Sequence, residues 1–156
     1  MAVSPPDLLG TIIGVAPGSA LARLRALRPD IVRHTQGSHD VLLFPTDPGG
    51  LSLSERALIA AQAAEASGHA ALTQHYRHLL AARSDPPPGK RLNTIQQHVA
   101  RVTTAPGTAL PAHIEALRAV GLTARDIVAL TQIVAFVSYQ VRAAAGLALL
   151  AAGEAA

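Results

Sequence analysis

The chain has no cysteine and no tryptophan, a single methionine, and among its 156 residues only Phe44, Tyr76, Phe136 and Tyr139 as Phe or Tyr side chains. Without cysteine there is no disulfide framework, no thiolate nucleophile and no Cys-ligated metal, and redox usage gives no guide to compartment. The apolar 49% of the chain is therefore carried by Ala, Leu, Val and Ile, which suits close helix packing better than a β-sandwich core. Charge is also sparse: 15% of residues are charged, the net charge is +3, and the basic residues are scattered rather than clustered. Nucleic acid is not an expected partner.

Nor is an export signal or a membrane span expected. The first eighteen residues lack a basic start and carry Pro5, Pro6 and Asp7 where a secretory signal needs an apolar run. The longest uncharged stretch near the C-terminus, Ile127 to Val141, is shorter than the roughly 20 residues a span requires, and it includes Thr131, Gln132, Ser138 and Gln140. A soluble cytoplasmic protein with one domain over 1–156 is expected, a length that buries roughly two-thirds of the unfolded surface.

What is present reads as an all-α chain of about seven helices. After an N-terminal arm over 1–18, Pro17-Gly18-Ser19 breaks and caps, and Leu21, Leu24 and Leu27 recur at helical spacing. Pro29 opens a helix to about Leu43, closed by Pro45, Pro48, Gly49 and Gly50. Ser52 and Glu55 form a capping box for a third helix that ends at Ser67-Gly68. A fourth runs from His69 to Arg83, followed by a Pro-rich linker over 84–92. Ile95, Val99 and Val102 mark a fifth, Pro111 to Val120 a sixth, and Thr123 with Asp126 caps a seventh from Ala124 to about Ala151. That last segment is apolar nearly all round, which predicts burial at the centre of a bundle or in a subunit interface.

LSLSERALIAAQAAEASG followed by HAALTQHYRHLL resembles the carboxymuconolactone decarboxylase and alkylhydroperoxidase D superfamily, in which one helix ends at a small-residue-Gly step and the next carries the chemistry. DLLGTIIGVAPGSALARLRALRPDIV and HIEALRAVGLTARDIVALTQIVAFVSYQVRAAAGL are similar to its peroxidase-related branch. The resemblance implies an alkylhydroperoxidase D-like helical bundle and a homo-oligomer. It also implies a Glu on the first helix, a C-x-x-C pair opening the second and a His one turn later. Aligned on Ser67-Gly68, those positions hold Ala57, His69, Leu72 and Tyr76, so none of the four is retained. Peroxide reduction through a sulfenic acid and disulfide is excluded. The order Leu72, His75, Arg77 and Leu80 locally resembles the decarboxylase branch.

His75 is the candidate catalytic residue. It shares a helical face with Leu72 and Leu79, so it reads either as a general base in a pocket between helices or as a core histidine satisfied by its neighbours. Tyr76, Glu65, Thr131, Ser138 and Arg142 are the candidate substrate-binding residues. Thr131, Ser138 and Arg142 fall within about 20° of one line on the last helix. A buried guanidinium needs a counter-charge or carbonyls, so Arg142 is expected to pair with Glu55 or Glu65 or to receive a small carboxylate ligand. His75 and His78 supply two nitrogens at most and no H-E-x-x-H accompanies them, so neither metal nor cofactor is expected. His69 is expected near a helix terminus, and His34, His39, His98 and His113 in surface or capping roles. Two readings stay open: a small-molecule-binding or structural oligomer whose ancestral site is filled by Ala57, Leu72 and Tyr76, or a thiol-independent acid–base enzyme acting through His75.

Overall fold

The computed structural model describes residues 7–84, 86 and 88–153; part of the expected arm (1–6), two positions of the linker (85 and 87) and the last three residues lie outside them. The described residues are all-α, with eight α-helices and one 3₁₀ turn and no strand. The eighth arises where an arm was expected. Asp7 accepts from the Gly10 amide at 2.9 Å and starts a short helix α1, Leu8–Ile12. Ser19 caps α2 (Ala20–Ala26) through the Ala22 amide, and Pro29 occupies the first turn of α3 (Pro29–Leu43).

The capping box opening α4 (Leu53–Ala66) forms as expected, with Ser52 and Glu55 each accepting from the other's amide. Eight of its fourteen residues are buried, five of them alanines, and these small side chains let α4 pack closely against several helices at once. Gly68 at φ +73° turns the chain into α5 (Ala70–Ala81), donating back to Glu65 O at 2.9 Å while His69 donates to Ala64 O. This is the left-handed step that Gly adopts without a Cβ penalty. His69 stands at the helix start, its Nδ1 accepting from the Leu72 amide at 3.3 Å.

The remaining elements are α6 (Lys90–Thr104), a 3₁₀ turn at Pro106–Thr108, α7 (Pro111–Ala119) and α8 (Ala124–Gly153). The expected linker is shortened because α6 begins at Lys90. Thr123 and Asp126 exchange side-chain-to-amide bonds at the entry to α8. Helix α4 lies at the centre, packed on α5, α6 and α8. The core gathers Leu43, Leu51, Ile59, Leu72, Tyr76, Ile95, Val99, Leu117, Leu130, Ile133 and Val137.

Helix α8 therefore departs from expectation. It is long and apolar enough to cross a bilayer, yet it is neither buried all round nor central. One stripe, Leu130, Ile133, Val137, Gln140 and Ala144, faces the core, while Val128, Tyr139, Leu149 and Leu150 are exposed. Helix α4 supplies small residues on every side and takes the middle; α8 has larger side chains on a single stripe and flanks it.

A buried ionic network ties the 42–56 segment to the start of α8. Arg56, 5% exposed, donates to the carbonyls of Leu42, Pro48 and Leu51 at 2.8 to 3.0 Å. Arg91 pairs with Glu55 at 2.7 Å and donates to Gly50 O and Val120 O. Asp126 accepts from the Gly50 amide at 2.9 Å as well as from Thr123. The Arg91 guanidinium and the Ser52 amide hold the Glu55 carboxyl below its ordinary range against the opposing effect of its own burial.

Candidate functional site

His39 sits on the inner face of α3, 6% exposed, and lies close to four other rings. Its centroid lies 5.6 Å from Phe44, 5.8 Å from His75, 6.3 Å from Tyr76 and 6.5 Å from Phe136. Tyr139 joins through Phe136, and the Arg83 guanidinium lies 5.0 Å over Phe44. All four Phe and Tyr side chains of the chain thus converge where α3, α5 and α8 meet.

The polar groups of this junction are oriented by hydrogen bonds from outside it. The Leu8 amide donates to Gln36 Oε1 at 3.1 Å, Gln36 donates to Asp40 Oδ1 at 2.8 Å, and His39 Nδ1 stands 2.9 Å from the same oxygen. A carboxylate only accepts, so Nδ1 carries the proton and Nε2 of a neutral His39 is a bare acceptor. That Nε2 is buried with no protein hydrogen-bond partner among the described residues, and the same holds for His75 Nε2 and Gln140 Nε2. Tyr76 is wholly buried and donates to Gln140 Oε1 at 2.5 Å. Burial, and secondarily this bond's opposing pull, leave its phenol far above the ordinary range, so Tyr76 stays neutral. His75, half-buried and edge-on to Tyr76 at 4.9 Å, is pushed down by burial first, then by His39 and His78. The arrangement holds two imidazoles in contact, and an amide donor beside a neutral phenol.

Of the residues expected from sequence, the structure brings His75 and Tyr76 together and leaves the others outside. Glu65 forms an exposed ion pair with Arg77 at 2.7 Å. Thr131 is exposed and bonds back to Ile127 O, Ser138 is half-buried, and Arg142 is exposed. The polar seam is thus no buried feature, and Arg142 takes neither expected partner, since Glu55 holds Arg91 and Glu65 holds Arg77. The buried guanidinium belongs to Arg56 instead. His39 and His98 are buried rather than superficial, whereas His113 caps α7 by accepting from the Leu110 amide. No group of three or more metal-ligating side chains occurs among the described residues.

His39 and Gln140 were not legible as site residues. Gln140 left one usable signal, a polar residue at 3 and 4 positions from Val137 and Ala144 inside an otherwise apolar stripe. His39 left none, because its neighbours across the junction come from distant segments. At the positions where the resemblance puts the redox residues, Ala57, Leu72 and Tyr76 are wholly buried, and His69 caps α5.

No protein-family model matches the chain, and no curated protein does. Two solved structures do. An uncharacterized peroxidase-related protein from Silicibacter sp. TM1040 aligns over 76% of this chain and 69% of its own, at 20% identity and a TM-score of 0.58. The alkylhydroperoxidase AhpD core of an uncharacterized peroxidase-related protein from Ralstonia eutropha JMP134 aligns over 93% of this chain and 88% of its own, at 26% identity and a TM-score of 0.56. The chain therefore has the fold of AhpD-like peroxidase-related proteins, built without the cysteine pair.

Proposed function

We propose that this is a soluble, cytoplasmic AhpD-fold protein that acts as a self-associating structural oligomer. One observation carries this reading: Ala57, Leu72 and Tyr76 are wholly buried, and they fill with packed carbon and a bonded phenol the positions assigned to redox chemistry. The outer surface supports self-association. Ile31, Val41 and Phe44 on and after α3, with Val128 and Tyr139 on α8, are exposed apolar side chains on neighbouring elements, and covering such a surface is the ordinary driving force for assembly. Light scattering on purified protein should give an oligomer that Val41→Asp with Val128→Asp converts to monomer, and peroxide should not be consumed with any dithiol. A monomeric wild type would end the proposal.

A second reading, acid–base chemistry on a small carboxylate, draws support from the Asp40–His39 pair beside His75. A carboxylate on Nδ1 with a bare Nε2 is how proteins orient a general base. It predicts a small carboxylate, malonate for example, that raises the melting temperature of wild type and not of His75→Ala.

A further inference from the structure

Helix α3 buries few of its side chains. Across its fifteen residues only His39 and Leu43 are buried, and Gly37 in its interior meets no side chain that would compensate for its poor helix propensity. A segment with few buried contacts opens locally at a small fraction of the global cost. One of its two buried side chains is an imidazole, lying against the imidazole of His75 on α5. Beneath it are Tyr76, bonded to Gln140, and the unpartnered nitrogens of His75 and Gln140.

We propose that α3 is a proton-latched cover over the Tyr76–Gln140 pair, closed while His75 is neutral and released when it takes up a proton. The inference needs no assignment of catalysis, but release of α3 would disturb the surface proposed for self-association, to which Ile31 and Val41 belong. The charged and titratable groups that reach the two imidazoles settle which way the latch responds. From α3, Asp40 bonds His39 Nδ1 and balances a charge there. From α5, His78 adds only like charge to His75 and Tyr76 is neutral. Arg83, after α5, reaches the cluster through Phe44, and α8 presents Phe136 and Gln140, neither ionisable. Among the described residues no carboxylate bonds His75; those of α4, which packs on α5, are held elsewhere, Glu55 by Arg91 and Glu65 by Arg77. The His75 cation would have no counter-charge beside it.

The linkage has a definite sign. His75 has its folded pKa below the ordinary value of 6.5, so the closed state binds fewer protons than the open state. The closed state is favoured above that value and loses ground as pH falls through it. Because His75 is half-exposed and His39 is not, the outward path for a charged ring is open to His75, and its departure removes the contact on which His39 rests.

Amide hydrogen exchange on the full chain, corrected for the intrinsic pH effect, tests this at about pH 7.5 and about pH 5.5. The expected result is a loss of protection in α3 of up to about tenfold at the lower pH, with α4 unchanged. His75→Gln and His39→Leu should each abolish the difference, and His34→Gln, an exposed histidine on the same helix, should retain it. Unchanged α3 protection in wild type, a retained response in both variants, or a response lost with His34→Gln overturns the proposal. Should either variant fail to fold, wild-type NMR decides: the Tyr76 ring signals must shift with the midpoint of His75, and independent midpoints refute the latch.

Discussion

Two buried polar regions of this molecule differ in how completely their groups are partnered. In the network around Arg56, every guanidinium and carboxylate finds its acceptors or donors: three carbonyls for Arg56, Glu55 with two carbonyls for Arg91, and the Gly50 amide with Thr123 for Asp126. At the α3–α5–α8 junction, three nitrogens are buried without a protein partner among the described residues. A saturated network fixes geometry and has nothing left to offer a proton or a ligand. An unsaturated one is costly to keep and is where a response to protons or small molecules belongs. The first region holds the fold, and the second is the place to look for activity.

Substitution can break this contrast. The largest effect is expected from Arg56→Met, which keeps the stem but strands the carbonyls of Leu42, Pro48 and Leu51; unfolding by urea should show a loss of about 3–5 kcal/mol. A loss below about 1 kcal/mol would mean that water replaces the guanidinium freely, and the network would no longer count as structural. Tyr76→Phe removes the Tyr76–Gln140 bond and leaves Gln140 Oε1 stranded, so about 1–2 kcal/mol should be lost. Adding Gln140→Leu should recover most of that loss in a double-mutant cycle. The smallest effect sharpens the comparison most. His39→Leu removes an imidazole whose Nε2 is unpartnered and frees Asp40, which is exposed, to water; thermal melts at neutral pH should match or exceed wild type within about 1 kcal/mol. A clear destabilisation there would make His39 as structural as Arg56.

The separation between readable and unreadable features follows the physics of each. Capping at Ser52–Glu55 and Thr123–Asp126, the glycine step at Gly68 and the breaks at Pro29 and Pro45 depend on residues a few positions apart, and the structure forms them where the sequence implies. The short α1 escaped notice because five residues carry too little periodicity to register. The pairing expected of Arg142 failed because apolarity on all sides of α8 does not say which side is covered. Leu and Val can remain exposed, and the stripe through Ile133, Val137 and Gln140 faces inward only because α4 is there to meet it.

The sequence by itself determined the helical class, the helix boundaries set by local caps and breakers, and the exclusion of thiol chemistry, because each depends on composition or on neighbours along the chain. Only the tertiary structure decided that α4 rather than α8 is central, that Arg56 is the buried cation, and that His39 of α3 meets His75 of α5 and Phe136 of α8. Contacts between residues tens of positions apart are chosen by how whole helices pack, and no local pattern encodes that choice.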